Sequence, residues 1–339
     1  MPTEPLRTID WVDHHIRLID QTLLPEELLV LDIESVDSLV DAISRLAVRG
    51  APALGVAGGF GVALAMSTLT ADEVPRAVAA IRHARPTAVN LARGVDRVAA
   101  RMPEGFDAVL VEAEQPRDDE IAASNSMGEL GADLVEELVG DRPVRAMTIC
   151  NTGGLATVER GTALAVVQTL HERGRLAEAL PVETRPLLQG SRLTTWELAR
   201  MGASFRLLVD SAGPSVLARG MADVVLIGAD RIAANGDTAN KIGSYSLALG
   251  AARAGVPFIV VAPETTVDMS TSTGAEIEIE DRGPNEVREI RGTRVAPDGI
   301  DALNPAFDVT SHDLITAIVT NQRVVRVDRG ETLMEGPPS

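Results

Sequence analysis

From Pro143 onward the sequence alternates short apolar runs with helical stretches, and this alternation limits the fold more than any other feature. Each run is four to six residues long and mostly aliphatic, which is typical of strands buried on both faces of a sheet. The runs are Val144–Ile149, 205–209, Val224–Ile227 and Phe258–Val261. Such strands separated by helices predict an α/β fold with a mainly parallel sheet.

The residues before this point read as mostly helical. The apolar side chains that recur on one helical face are Val36, Leu39, Val40, Ile43 and Leu46. A chain of 339 residues also exceeds what one hydrophobic core usually serves. We therefore expect a mostly helical domain over residues 1–140, a catalytic α/β domain over 141–330 and a flexible tail over 331–339. The acidic segment 269–294 is predicted to be a loop or an excursion near a subunit contact.

The early charged residues and the single cysteine indicate the cellular compartment of the protein. Asp10, Asp13 and Arg17 interrupt the early sequence, so it does not resemble an export signal. The low-charge stretch 50–70 is rich in Gly and Ala and contains Pro52, which favours a tightly packed buried helix over a membrane span. One cysteine cannot form an internal disulfide, in keeping with a reducing compartment. We therefore expect a cytoplasmic protein.

The charge balance argues against nucleic-acid binding, because a net charge of -18 repels phosphate backbones. A local basic pocket can still hold a small phosphate. Of the 31 basic residues, 30 are Arg and only Lys241 is Lys. Because this lysine stands in a glycine-flanked polar segment, we predict that it lies in a ligand site rather than on a plain surface.

Cys150 stands where a predicted strand gives way to the glycine-rich turn Asn151-Thr152-Gly153-Gly154. Successive backbone N–H groups in such a turn can cradle an anion. A free Cys is more often a small buried apolar residue, so both roles stay open for it. None of the five His residues sits in a recognisable partner motif, which argues against a thiol protease.

The second candidate is the polar run 228–243, directly after the predicted strand Val224–Ile227. Its Asp230, Asn240 and Lys241 offer a carboxylate, an amide and an ammonium, which together can serve proton transfer and phosphate or hydroxyl binding. The alternative is a helix-capping Asp followed by a solvated loop. Because ligands bind beyond the carboxyl ends of parallel strands, we expect Cys150, Asp210 and Asp230 to converge.

Three further motifs place arginine beside Gly or Pro, where a rigid turn can present a guanidinium to a phosphate. They are Arg49-Gly50-Ala51-Pro52-Ala53, Arg85-Pro86-Thr87-Ala88-Val89-Asn90-Leu91, and Glu183-Thr184-Arg185-Pro186 leading to Gln189-Gly190-Ser191-Arg192. Taken singly, each arginine more often forms a structural ion pair. The sequence has no Walker A motif, no GxGxxG at a strand-to-helix junction and no His or Cys cluster with metal-ligand spacing.

Together these motifs resemble one family, the 5-methylthioribose-1-phosphate isomerases of methionine salvage. A last matching segment is Asn304-Pro305-Ala306-Phe307-Asp308-Val309-Thr310, so the likeness covers nearly the whole chain. The wider fold group includes ribose-1,5-bisphosphate isomerases and regulatory subunits of the eukaryotic factor that exchanges nucleotide on the initiation GTPase. Regulatory relatives need not keep a catalytic thiol and carboxylate. Both are present here as Cys150 and Asp230, which favours an enzyme.

The resemblance implies a helical N-terminal domain, a Rossmann-like C-terminal domain, a homodimer and no metal or organic cofactor. It implies that Asp230 is the general acid and base and Cys150 the second catalytic residue. The implied substrate-binding residues are Arg49, Gly50, Ala51, Arg85, Gln189, Asn240 and Lys241. The chain departs from the family pattern at 158–161 and 210–214, which bears on the group carried at C5 of the sugar.

The implied reaction converts 5-methylthio-D-ribose 1-phosphate, or a related 5-substituted 5-deoxyribose 1-phosphate, into the ribulose 1-phosphate. Because the phosphate blocks the anomeric oxygen, the ring must open with the phosphate attached. We expect a protonated Asp230 in an apolar, water-poor pocket to donate to the ring oxygen. Cys150 then either relays a proton through an enediolate-like species or lines a dry pocket for direct hydride transfer. The alternatives are a ribose-1,5-bisphosphate isomerase and a regulatory subunit that binds sugar phosphates or nucleotides without turnover.

Overall fold

The computed structural model describes residues 6–86 and 88–334. By spatial contact the chain divides into two compact units, the first comprising Met1–Ala123 and Gly153–Gly161 and the second Ser124–Thr152 and Thr162–Ser339. The domain boundaries expected at residues 140 and 330 stay a prediction. Thr87 of the Arg85 motif and residues 335–339 of the expected tail lie outside the described residues, whereas Leu333 at the start of that tail is buried.

The first unit contains a small antiparallel sheet followed by helices. Its elements are β1 (Ile9–Val12), β2 (His15–Ile19), β3 (Val30–Ile33), α1 (Val36–Ser44), α2 (Ala51–Thr68), α3 (Val74–His83), α4 (Val89–Ala99), a 3-10 turn (Met102–Glu104) and α5 (Phe106–Val139), which continues into the second unit. The sheet was not expected, because strands of four or five residues are too short to show a clear period in sequence.

Helix α2 lies at the centre of the first core and is apolar on all sides, so it is a buried helix rather than an amphipathic one. Its glycines permit close contact with α4: a Cβ on Gly58 would lie 2.6 Å from the Leu91 carbonyl oxygen, and one on Gly94 would lie 2.1 Å from that of Gly55. By length and composition α2 is the one described helix that could cross a membrane, yet 67% of it is buried. The predicted buried helix is thereby confirmed.

The second unit is an α/β structure built on a six-stranded sheet. Its helices and strands are β4 (Val144–Ile149), α6 (Ala163–Glu172), β5 (Leu176–Val182), α7 (Thr195–Arg200), α8 (Ala212–Ala218), β6 (Val224–Ile227), β7 (Arg231–Ala233), β8 (Thr238–Lys241), α9 (Ser244–Ala254), β9 (Phe258–Val261), β10 (Val267–Asp268), α10 (Asn285–Arg288), β11 (Glu289–Ile290), β12 (Thr293–Arg294), β13 (Phe307–Thr310), β14 (Ala317–Val319) and β15 (Val324–Val325). A π-helical turn over Gly190–Thr194 precedes α7.

The six-stranded sheet has the order β15-β14-β9-β6-β4-β5, and every pair except β14–β15 is parallel. The first strand, β4, is flanked by β5 on one side and by β6, β9 and β14 on the other, which is a doubly wound order. The predicted α/β fold with a mainly parallel sheet is confirmed. A second sheet, of order β10-β7-β8-β13, contains part of the polar run 228–243.

Three of the four predicted strands have the predicted bounds, but the segment 205–209 is neither a continuous strand nor buried on both faces. That segment is paired in parallel with β5 through four backbone hydrogen bonds, but as two isolated bridges at Phe205 and Leu208 rather than as a continuous strand buried on both faces. It lies at the sheet edge, where Val209 is 71% exposed, and Pro181 in β5 has no N–H to donate to it. The apolar run therefore looks like a buried strand in sequence but cannot form a complete ladder. The segment 269–294 is largely irregular, with the short elements β11, β12 and α10 near its end.

Candidate active site

Cys150, Gln189 and Asp230 of the second unit follow the ends of β4, β5 and β6 respectively. The chain runs from β4 to β5 on one side and then returns to β6 on the other side of β4, and ligands of open parallel sheets bind at such a reversal, beyond the carboxyl ends of the strands. Ile149 is level with Val182 and Met147 with Val225, so continuing the register places Cys150 between Glu183 and Gly228. The sequence-predicted thiol therefore occupies the switch point of the sheet.

Cys150 adopts a left-handed backbone conformation with φ +65° and is 7% exposed. Such a conformation costs an L-residue about 1–2 kcal/mol, so other contacts have to hold it. Its carbonyl oxygen accepts a hydrogen bond from the Thr194 hydroxyl at 2.6 Å. Its thiol donates to Oε1 of Gln189 at 3.0 Å. Both the backbone and the side chain of Cys150 are thus fixed by the segment 189–194.

Asn151 adds a second connection to the same segment. Its side-chain amide donates to the Thr194 hydroxyl at 3.2 Å and to a carboxylate oxygen of Glu197. Asn151 and Thr194 are both buried. Asn151 was part of the predicted glycine-rich turn, whereas Thr194 and Glu197 were not predicted. Nothing in a local sequence pattern pairs residues more than forty positions apart.

The loop 184–191 carries Gln189 and folds around the carboxylate of Glu183. Oε1 of Glu183 accepts from the backbone N–H of Thr184 at 2.7 Å and of Gly190 at 3.3 Å. Oε2 accepts from the backbone N–H of Ser191 at 2.7 Å. Gln189 is 6% exposed and Glu183 is 7% exposed. The Glu183 motif was noted in sequence for its arginine, and the role of its glutamate was missed.

The two aspartates expected to converge on Cys150 differ. Asp230 follows β6, and its backbone N–H donates to the Ala239 carbonyl at 2.9 Å. Asp230 is exposed in the chain alone, whereas Gly228 before it and Ile232 after it are buried. The water-poor pocket expected around its carboxyl group stays a prediction. Asp210 instead accepts a hydrogen bond from the Arg185 backbone N–H at 2.8 Å, which makes it a support of the loop 184–191.

Asn240 and Lys241 lie at the end of β8, opposite β13. The Asn240 side chain is buried and donates to the Ser244 hydroxyl at 2.8 Å. The Lys241 ammonium donates to the Ala306 carbonyl at 3.1 Å and lies 4.4 Å from the centre of the Phe307 ring. These contacts hold both side chains on the β8–β13 pair.

Asp308 connects the same strand pair to α9. Its carboxylate accepts from the backbone N–H groups of Gly243 at 2.7 Å and Tyr245 at 3.1 Å, which caps the first turn of the helix. Burial raises the pKa of Asp308, and these backbone hydrogen bonds only partly oppose it. The quoted segment 304–310 therefore positions Lys241, a contribution that the sequence did not show.

The remaining predicted residues belong to the first unit. Arg49 is buried, and its Nε donates to Gln21 at 3.1 Å. Gly50 precedes α2 with φ +93°, and a Cβ there would lie 2.2 Å from the Ala156 carbonyl oxygen, so only glycine fits. Ala51 is the first residue of α2, and Arg85 lies in the turn between α3 and α4. The structure thus groups Arg49, Gly50 and Ala51 at one helix start.

Curated proteins match this chain along nearly its whole length. It is 50% identical over 330 residues to a probable bifunctional methylthioribose-1-phosphate isomerase/methylthioribulose-1-phosphate dehydratase of Nocardia farcinica, with 94% of this chain and 59% of that protein covered. The chain thus spans less than two thirds of that relative. It is 48% identical to a methylthioribose-1-phosphate isomerase of Anaeromyxobacter sp. (strain K), covering 95% of each chain. A 5-deoxyribose 1-phosphate isomerase of Moorella thermoacetica is 44% identical, again with 95% of each chain covered.

Solved structures of the same group of proteins are also similar to this chain. The 5-methylthioribose 1-phosphate isomerase of Pyrococcus horikoshii OT3 has a TM-score of 0.89 and 39% identity, covering 96% of this chain and 93% of that one. A structure described as translation initiation factor eIF-2B, subunit delta, from A. fulgidus has a TM-score of 0.86 and 40% identity, covering 95% of this chain and 96% of that one. The model of the initiation factor 2 subunit family matches residues 47–326. The chain belongs to the initiation factor 2 subunit family, within the group that contains the methylthioribose-1-phosphate isomerases.

Proposed function

We propose that the chain is an aldose–ketose isomerase that converts 5-methylthio-D-ribose 1-phosphate, or a related 5-substituted 5-deoxyribose 1-phosphate, into the matching ribulose 1-phosphate. One observation carries the proposal: the only thiol is held on Gln189 at the switch point of the sheet, with Asp230 leaving the neighbouring strand. The likeness to proteins named as such isomerases supports it.

Asp230 is the general acid and base in this proposal. It donates a proton to the ring oxygen, and the ring opens with the phosphate still on the C1 oxygen. Because Asp230 is exposed in the chain alone, the bound sugar itself has to exclude water from the carboxyl group. Hydrogen then moves from C2 to C1, and the C2 hydroxyl becomes a ketone as its proton passes to the Asp230 carboxylate, which restores the protonated acid.

Cys150 acts at the hydrogen transfer. Its thiol either relays the proton between C2 and C1 through an enediolate-like species or keeps the pocket dry while hydrogen passes directly as hydride. The buried position and the contact with Gln189 support a fixed thiol beside the sugar in either route. Gln189 and Asn240 are proposed to bind the sugar hydroxyls.

Cationic groups and a helix start are proposed to bind the phosphate. Arg49 and Arg85 supply guanidinium groups, and Lys241 supplies the chain's only ammonium side chain. The N–H groups at Gly50 and Ala51 open the 18-residue helix α2, whose N-terminal end favours an anion. The glycine at position 50 is required by its φ of +93° and by the Ala156 backbone beside it, which together fix where α2 begins.

A regulatory role without turnover is the second candidate, because the eIF-2B subunit delta structure is about as similar to this chain as the isomerase structure is. Both candidates predict sugar-phosphate binding. They differ in whether a ketose forms and in whether a protein partner is required.

A substrate panel tests the proposal directly. Purified protein is incubated with ribose 1-phosphates that carry methylthio, hydrogen, fluoro, hydroxyl or phosphate at C5, and ketose formation is measured. We expect turnover with the methylthio or 5-deoxy compound. Turnover with ribose 1,5-bisphosphate alone would assign the chain to the bisphosphate isomerases. Binding of several compounds with no ketose from any would favour the regulatory role.

We further propose that the protein is a cytoplasmic homodimer that uses no metal or organic cofactor and binds neither nucleic acid nor membrane. The net charge of -18 and the single Cys support this description. Sedimentation equilibrium tests the dimer. Full activity after exhaustive dialysis against a chelator tests the independence from metal.

A further inference from the structure

We propose that Glu183 is a positioning residue that sets the reactivity of Cys150 through the loop 184–191. Only the expected change in kcat rests on the proposed isomerase function. Glu183 and Cys150 are the residues that directly follow the last register pair of β5 and β4, Val182 and Ile149, and the Glu183 carboxylate accepts hydrogen bonds from the loop that starts directly after it. The thiol of Cys150 donates to Gln189 and not to Glu183, so any influence of Glu183 has to pass through the loop.

The three donors to this buried carboxylate are all backbone N–H groups, at Thr184, Gly190 and Ser191. A buried charge needs such partners, and hydrogen bonds to an ionised acceptor are among the stronger ones in proteins. Because the donors belong to the main chain, they fix the path of the chain rather than a side-chain rotamer. One carboxylate thus closes the loop at both ends.

The closure leaves little freedom at Gln189. The next residue, Gly190, approaches Glu183 so closely that a Cβ there would lie 3.0 Å from the Glu183 Cα and 2.7 Å from the Val182 carbonyl oxygen. Leu188, on the other side, has φ +55°. Gln189 is therefore held between two constrained positions, with its Oε1 facing the thiol of Cys150 at 3.0 Å.

The same loop is also tied to the segment that follows Lys241. The Thr184 hydroxyl donates to the Ile242 carbonyl at 2.8 Å, and the Thr184 N–H is one of the three donors to Glu183. Displacing the loop from Glu183 is expected to move Gln189 and to loosen its connection with Ile242.

Glu183→Gln keeps the size of the side chain but replaces one acceptor oxygen with an NH2 group, which cannot accept the hydrogen bond that the oxygen accepts. The loop then has to shift, and the thiol of Cys150 loses its acceptor on Gln189. We expect iodoacetamide to alkylate Cys150 about fivefold faster at pH 7, the scale set by the loss of one hydrogen bond. The rate–pH profile moves to lower pH. Because Cys150 is the only thiol, the label reports one position.

The test compares wild type with Glu183→Gln, Gln189→Ala, the double variant and Asp223→Asn. If Glu183 acts through Gln189, the double variant reacts no faster than the faster single variant. Asp223 is a matched control, because it is also a buried carboxylate that accepts a backbone N–H, but it lies at the opposite end of β4. Its variant is expected to keep the wild-type alkylation rate even if it is less stable.

A folded Glu183→Gln protein with the wild-type alkylation rate and pH profile would overturn the proposal. If that variant does not fold, Glu183→Asp is measured, whose carboxylate is one methylene shorter. If neither folds, the role of Glu183 is stability and the proposal is also wrong. In the isomerase assay we expect kcat to fall about 10-fold to 100-fold in Glu183→Gln, since small misplacements of reacting groups have effects of this size. Absence of turnover in wild type would refute the proposed function, whereas the alkylation result would still decide the role of Glu183.

Discussion

Asp223 and Glu183 are buried carboxylates at opposite ends of the same parallel sheet, and they differ in what they bind. Asp223 precedes β6 and accepts hydrogen bonds from the guanidinium groups of Arg142 and Arg145, besides the Arg145 backbone N–H. Glu183 follows β5 and accepts from three backbone N–H groups of one loop. Charge pairing of the first kind stabilises the amino end of the sheet, while the second kind fixes geometry at the carboxyl end.

This difference predicts that substitutions at the carboxyl end reduce turnover with little change in stability, and that substitutions at the amino end do the reverse. The two ends are about 17 Å apart along β4, measured from Arg145 to Cys150 at roughly 3.3 Å per residue. Three substitutions test this division, and a fourth, at Glu120 in α5, tests a buried carboxyl group whose Oε2 has no hydrogen-bond partner.

Asp230→Asn is expected to give the largest effect. It removes the proposed general acid and base, which typically lowers kcat by about 100-fold to 10,000-fold. Because Asp230 is in an exposed position, the urea midpoint is expected to stay near that of wild type. Steady-state kinetics of the folded variant provide the measurement. Near-normal kcat would remove Asp230 from the mechanism.

Cys150→Ser is expected to lower kcat by at least about 100-fold in the folded fraction, because the thiol is proposed to take part in hydrogen transfer or to keep its pocket dry. Alkylation of wild type should inactivate it, and substrate should protect it. If Cys150 is only a small core residue, the Ser variant loses some stability but keeps ordinary turnover. The two outcomes are separated by measuring kcat per folded molecule.

Asp223→Asn tests the other end of the sheet. Burial alone would raise the pKa of Asp223, but the hydrogen bonds from Arg145 and Arg142 lower it to about 2. A carboxyl group whose pKa is lowered by folding stabilises the fold at every pH above its ordinary pKa near 4. This contribution is lost as the pH falls toward 2. We expect the variant to be about 2 kcal/mol less stable at pH 7 and nearly unchanged relative to wild type near pH 2. An unchanged urea midpoint at pH 7, or a large loss of kcat, would contradict the division.

Glu120 in α5 is a third carboxyl group, and it differs from Asp223 and Glu183 because its buried Oε2 has no hydrogen-bond partner. Burial, with a smaller effect from Asp119, raises the pKa of Glu120 to about 7. Between pH 4.5 and 7 the folded chain therefore keeps a proton that the unfolded chain has lost, so stability falls as the pH rises through this window. Glu120→Gln is expected to add about 3 kcal/mol of stability at pH 8 and almost none at pH 4. A matched control is Asp119→Asn, for which only a small gain is expected. Equal gains for Glu120→Gln at both pH values would show that the carboxyl is not titrating in this window.

The bounds of β4, β6 and β9 were predictable because each is a short aliphatic run whose burial shows in its composition. β5 was missed because Glu178 and Pro181 interrupt its apolar pattern, and β14 because it has only three residues. The segment 205–209 shows the opposite error, since its composition is that of a strand and its partner cannot complete the ladder. Local composition reports how deeply a run is buried, but not which strand lies beside it.

The sequence by itself determined that a parallel sheet would end in the residues Cys150 and Asp230, and that α2 would be a buried helix. The burial of a run and the residue that terminates it are local properties, so they can be inferred without knowing the neighbours. The tertiary structure alone decided that Thr194 and Gln189 hold Cys150, that Glu183 closes the loop around Gln189, and that Asp230 is exposed. These contacts join residues separated by tens of positions, and their geometry exists only after strand pairing has brought the carboxyl ends of β4, β5 and β6 together.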